Sequence, residues 1–123
     1  MNKICTSLEQ SKKLLELGID RKSSDMYYWC GSDLRIGGYK AQDEELDIPA
    51  WSLAVLLDIL PNDEVTSTTV TRGGWNIKPA KYLDIWFAEY ETEKHDNDFS
   101  LSANNPIDAA FEMVVWLKEN GKI

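Results

Sequence analysis

The chain is short of the residues that usually announce a chemistry. It has one histidine and two cysteines in 123 residues. A lone His95 excludes a histidine-rich zinc site. Cys5 and Cys30 lie far apart and form no C-x-x-C, so they read as two reduced thiols of a cytoplasmic protein. Long apolar runs are missing as well. The longest strictly apolar stretches, Leu53 to Leu57 and Met113 to Leu117, are five residues each, against about 20 for a helix that crosses a bilayer. Between Lys3 and Glu9 there are only a few apolar residues, so no signal peptide and no membrane partner are expected. Positive charge is scarce: 13 Lys and Arg against 21 Asp and Glu leave a net charge of −8. Basic residues cluster only as the pairs Lys12-Lys13 and Arg21-Lys22. Such a chain repels phosphate backbones, and no nucleic acid is expected as a partner.

What is present is a globular composition, 43% hydrophobic and 28% charged, with five tryptophans. The length fits one domain, residues 1–123, able to hide enough apolar surface to fold unaided. Ser7 to Leu17 predicts the first helix. Thr6 with Glu9, or Ser7 with Gln10, has capping-box spacing, and Gly18 stops it. Met26 to Cys30 predicts an aromatic strand, and Leu34 to Ile36 pairs back before Gly37-Gly38. Gln42 to Asp47 reads as an acidic loop. Ile48 to Pro61 predicts a short helix between two prolines. Val65 to Thr71 predicts an edge strand, with Trp75 to Ile77 extended after it. Tyr82 to Glu91 predicts a central strand apolar on both faces, and Phe99 to Ala103 returns beside it with Phe99, Leu101 and Ala103 facing in. Asn105 caps a last helix with Pro106 at its first position. Its core face is Ile107, Ala110, Phe111, Val114 and Leu117, and it ends at Asn120-Gly121. The expected fold is α+β, a small antiparallel sheet of about three to five strands packed with three helices in the order α-β-(β)-α-β-β-β-α.

None of the polar constellations makes a catalytic, cofactor or metal site. His95 sits in the polar turn Glu93 to Asp98, where a solvated surface group is the simplest reading. Asp96, Asp98 and Ser100 begin a calcium-loop pattern, which fails at Leu101 and Ile107. Asp43, Glu44, Glu45 and Asp47 are a dense acidic cluster, but acids before a helix also suit its dipole. Cys30-Gly31 looks like a nucleophile turn without a base. No G-x-S-x-G elbow or glycine-rich phosphate loop occurs.

The aromatic and apolar pattern is more telling. On a helical wheel over Ile48 to Pro61, Leu53, Leu56, Leu57 and Leu60 form one stripe, assigned to the core. Trp51, Val55 and Ile59 form a second ridge opposite. Either this chain covers that ridge or another molecule does. Trp51, Val55 and Ile59, with Trp116 on the last helix, are therefore the candidate interaction surface, since tryptophan is enriched among binding anchors.

Three segments together, Ser7-Leu8-Glu9-Gln10 through Gly18-Ile19, Ile48-Pro49-Ala50-Trp51 through Leu60-Pro61, and Pro106-Ile107-Asp108-Ala109 through Asn120-Gly121, carry a resemblance. The chain resembles small uncharacterised proteins of gut Bacteroidetes, often encoded near prophage or mobile elements. That resemblance implies a small bacterial cytoplasmic protein and transfers no catalytic residues. Three readings follow. The first is a noncatalytic protein-interaction module with a protein partner, or itself as a homodimer. The second is an acidic inhibitor or immunity-type protein, which needs its acids clustered on one face. The third is a ligand binder or enzyme using the face of Tyr82, Trp86 and Tyr90, which needs that face uncovered.

Overall fold

The computed structural model of the chain describes residues 3–37, 47–61, 66–73, 85–92 and 99–123. Among them the chain runs α1 (Leu8–Glu16), a 3-10 turn (Arg21–Ser23), β1 (Met26–Trp29), β2 (Asp33–Ile36), β3 (Ile48–Ala50), α2 (Leu53–Ile59), β4 (Thr66–Gly73), β5 (Ile85–Thr92), β6 (Phe99–Ala103) and α3 (Pro106–Glu119). The class is α+β, as the sequence predicts. The strands form two antiparallel three-stranded sheets, ordered β2-β1-β3 and β4-β5-β6, rather than one.

Local chemistry explains most boundaries. Ser7 caps α1, accepting from the Gln10 amide at 3.2 Å while the Gln10 side chain accepts from the Ser7 amide at 2.9 Å. Of the two capping boxes open in the sequence, Ser7 with Gln10 forms because Thr6 is used elsewhere. Its hydroxyl pairs with Ser11 at 2.8 Å and accepts from the Trp51 amide at 3.1 Å. Gly18, at φ 87°, reverses the chain after α1, and the Ile19 amide closes back on Leu14 at 3.0 Å, a left-handed cap that glycine adopts without a Cβ clash. At α3, the Asn105 side chain accepts from the Asp108 amide at 2.8 Å, and Pro106 takes the first turn, where its missing N–H costs nothing.

The proline-bracketed helix is the main departure from expectation. Ile48–Ala50 is a strand paired with β1, and only Leu53–Ile59 is helical. Pro49 disfavours helical geometry at Ile48, and a strand at a sheet edge tolerates the lost donor. Because the helix starts beyond Trp51, the wheel that placed Trp51 beside Val55 and Ile59 does not apply. Leu56 and Leu60 point into the core as expected, whereas Leu57 is 41% exposed.

The centre of the molecule is α3. It packs against β4, β5 and β6 on one side and α2 on the other. Its expected core residues Ile107, Ala110, Phe111, Val114 and Leu117 are buried, and so are Ala109 and Met113. The helix covered on two sides is thus α3.

Candidate functional site

The four residues singled out as an interaction surface do not lie together on an open face. Trp51 is wholly buried. Its indole N–H donates to Ser23 Oγ at 2.9 Å, and its backbone carbonyl accepts from the Thr6 amide at 2.9 Å. Val55 and Ile59 are half-buried and lean on the core cluster that contains Trp51, Leu56 and Leu60. The chain itself therefore covers Trp51 completely and Val55 and Ile59 in part. Trp116 is half-buried as well, on a different helix. It stacks on Phe99 with ring centroids 4.4 Å apart and planes 2° from parallel, and it meets Tyr90 at 5.4 Å and 52°.

That stack also decides the fate of the aromatic sheet face. Tyr90 is buried beneath Trp116, Ala88 is fully buried, and Trp86 packs partly on the same core. Helix α3 lies across the face required by a ligand site at Trp86 and Tyr90, so that site is closed. Tyr82, its third member, lies outside the described residues.

Beside the stack, between β6 and α3, is an open groove of about 740 Å³. Leu101, Ala103, Val115 and Trp116 give it an apolar floor, and Asp108, Glu112 and Glu119 line it from α3. At 100° per residue these three acids fall within about 40° of one another, a single stripe along the helix. The opposite wall is β6, which has no partner on its outer side among the described residues.

The acids are not equivalent. Asp108 accepts from Lys3 Nζ at 2.6 Å, from Gln10 Nε2 at 2.8 Å and from Asn105 Nδ2 at 2.7 Å. Burial pushes its carboxyl up, but the bonds from Lys3, Gln10 and Asn105 outweigh burial and hold it below the ordinary carboxylate range. Lys3 also donates to Gln10 Oε1 at 2.6 Å. One end of the groove thus already holds an ammonium group, supplied by the chain. Glu112 and Glu119 are exposed. Their charges remain available to a cation from outside.

The stripe of Asp108, Glu112 and Glu119 was missed in the sequence, although helical spacing along α3 could have found it. The contributions of Gln10 and Lys3 could not be found that way, because they reach α3 from about a hundred positions away.

The other polar candidates resolve as structure. Asp47, grouped by sequence with the acidic loop, is buried, and its carboxylate accepts from the Cys30 amide at 3.0 Å. Cys30 takes a positive φ of 51° in the β1–β2 turn and is exposed. Burial raises the Cys5 thiol and pushes the Tyr28 phenol, with which it is in contact, to about 12, so neither is poised as a nucleophile near neutral pH. Asp43, Glu44, Glu45, Trp75, His95, Asp96 and Asp98 lie outside the described residues. Among the described residues no group of three His, Cys, Asp or Glu is placed to hold a metal, and no helix is long and apolar enough to cross a membrane.

Comparison with protein-family models, with curated proteins and with solved structures found no match to this chain.

Proposed function

We propose that the chain is a noncatalytic protein-interaction module whose partner presents a basic, partly apolar, extended segment to the β6–α3 groove. The observation that carries this reading is the groove itself. One helical stripe of carboxylates faces a strand edge, unpartnered among the described residues, across an apolar floor ending at Trp116. A segment laid along β6 would find main-chain donors and acceptors there, as in strand addition. Every second side chain of that segment would turn toward α3, where it meets both the Leu101–Val115 floor and Glu112 and Glu119. Asp108 bound by Lys3 shows the kind of contact a lysine makes at this wall. The net charge of −8 steers basic partners toward the molecule.

The inhibitor or immunity-type reading uses the same surface. What supports it is the set of three acids that share one face of α3. The resemblance to small proteins of gut Bacteroidetes supports an accessory factor of a bacterial cytoplasm and a mobile element as its genetic setting.

The test is an NMR titration of the whole chain with an octapeptide that carries both lysine and leucine on one strand face. Supporting shifts fall on Leu101, Ala103, Glu112, Glu119 and the Trp116 indole N–H, and they vanish in the double variant E112K/E119K. A titration that perturbs other surfaces and leaves the groove silent would refute the reading. Loss of binding should be about tenfold or more for the double variant, since two opposed charge contacts become repulsive.

A further inference from the structure

The β1–β2 hairpin carries a second surface with no role in the groove. All four residues of β2 are exposed, including Leu34 at 36% and Ile36 at 79%. Trp29, on the neighbouring strand, is 45% exposed. β2 is also the outer strand of its sheet among the described residues.

The edge has a defined polarity. The Gly37 amide donates to the Asp25 carbonyl at 3.0 Å, one step beyond the Met26–Ile36 pair. Hydrogen-bonded and non-hydrogen-bonded pairs alternate along an antiparallel ladder. Asp33 and Arg35 therefore turn their backbone groups toward β1, and Leu34 and Ile36 turn theirs outward to the open edge.

We propose that this edge pairs with β2 of a second copy of the chain, antiparallel about a two-fold axis through Leu34. Only a register centred on Leu34 places Leu34 opposite its own symmetry mate as a hydrogen-bonded pair using the outward backbone groups. That register also sets Asp33 opposite the second copy's Arg35, and Arg35 opposite its Asp33, as non-hydrogen-bonded pairs whose side chains approach most closely. The segment Asp33-Leu34-Arg35 is its own charge complement when reversed, and a two-fold contact demands that property. Both charges have room for the exchange. Within one chain they stand 3.9 Å apart, the outer limit of an ion pair, and their side chains are 63% and 53% exposed. Arg35 rests over the Trp29 ring at 4.9 Å, which holds the guanidinium on the face where the second copy's Asp33 would arrive. On the opposite face, Leu34 and Ile36 of both copies form one apolar cluster across the axis. The result is a continuous six-stranded sheet. This contact is independent of the groove and of what the groove binds.

Sedimentation of the whole chain from about 10 μM to about 1 mM covers the range expected for so small an interface. The expected result is a reversible dimer whose population rises with concentration and falls with salt. R35D puts two aspartates opposite each other across both sides of the axis and should leave a monomer with an unchanged circular dichroism spectrum. D33R/R35D restores opposite charges and should restore the dimer. A monomer at every concentration overturns the proposal. So does a dimer that survives R35D, or a double variant that stays monomeric. Cross-linking checks the register in a C30S background. L34C should form an intermolecular disulfide, because Cα atoms of a hydrogen-bonded pair lie about 5.5 Å apart. I36C should not, because its mates lie more than about 12 Å apart. Equal cross-linking of both refutes the register and with it the proposal.

Discussion

The two sheets have the same number of strands and are held by different means. Sheet β4-β5-β6 is covered by α3, and its described central side chains, Ala88 and Tyr90, are buried under that helix. In sheet β2-β1-β3 only β3 is well buried, and β2 is exposed throughout. Polar bonds from neighbouring segments secure the second sheet. Tyr28 donates to the Thr6 carbonyl at 2.8 Å, Asp25 accepts from the Ser52 amide at 2.9 Å, and Asp47 accepts from the Cys30 amide at 3.0 Å. An apolar face that another element covers is stabilised by the area removed from water. A sheet with little cover depends on a few directional bonds, each sensitive to a single substitution.

The strongest way to break this contrast is at Trp51, where the two halves meet. It belongs to the core cluster with α2 and α3, and its backbone and indole bind the segments around α1 and the 3-10 turn. Trp51→Ala should cost about 3–5 kcal/mol, the range for truncating a buried aromatic. Chemical denaturation measures it. A loss below about 1 kcal/mol would mean the residue is a surface anchor after all.

Next is Asp25, which supports the thinly covered sheet alone. Its carboxylate binds both the amide and the hydroxyl of Ser52, the residue that precedes α2. Asp25→Ala should cost about 2 kcal/mol, the scale for bonds to a charged acceptor. Hydrogen exchange sharpens the comparison: amides of β1 and β3 should lose protection while those of β5 and β6 keep theirs. Uniform loss over both sheets would show that they unfold as one unit.

Much of the fold was legible because it is local. α3 is announced by its cap, its proline and its apolar spacing, β5 by a run apolar on both faces, and β6 by alternation. Ile48-Pro49-Ala50 was not legible, because a short apolar run has no period of its own and takes its form from a partner. That partner is β1, some twenty residues earlier. The same reason hid the burial of Trp51: a helical wheel assumes the helix begins before the residue, and pairing with β1 moves its start past it. Of the groove, the acid stripe and Trp116 can be read from α3, while the strand wall and the Lys3–Gln10 end depend on tertiary contact.

A smaller effect is expected at Asp108, where α1 and the groove share one carboxylate. Its folded pKa lies below the ordinary value of about 3.9 that it regains on unfolding. Its contribution is therefore complete above about pH 4 and lost as pH falls through the depressed folded value. Asp108→Asn should lower stability by about 1 kcal/mol at pH 7, the scale of a partly exposed ion pair with hydrogen bonds. The difference between variant and parent should shrink toward pH 2 in paired urea melts. A constant difference at both pH values would show that the carboxylate's charge contributes nothing.

The smallest effect is predicted where the contrast is sharpest. Ile36 and Leu117 are both large aliphatic residues within regular elements, yet one is 79% exposed and the other fully buried. Leu117→Ala removes packed atoms from the core under α3 and should cost about 2–5 kcal/mol. Ile36→Ser removes atoms that already face water and should change the stability of the dilute monomer by no more than about 0.5 kcal/mol. A serine also retains a strand-compatible backbone, so β1–β2 pairing should survive, visible as unchanged amide protection in β1. A loss above about 1 kcal/mol in dilute solution would mean that something within the same chain covers β2. It would also remove the open edge on which pairing with a second copy depends. Negligible loss in dilute solution, with weaker association at high concentration, would place the value of Ile36 between molecules instead of within one.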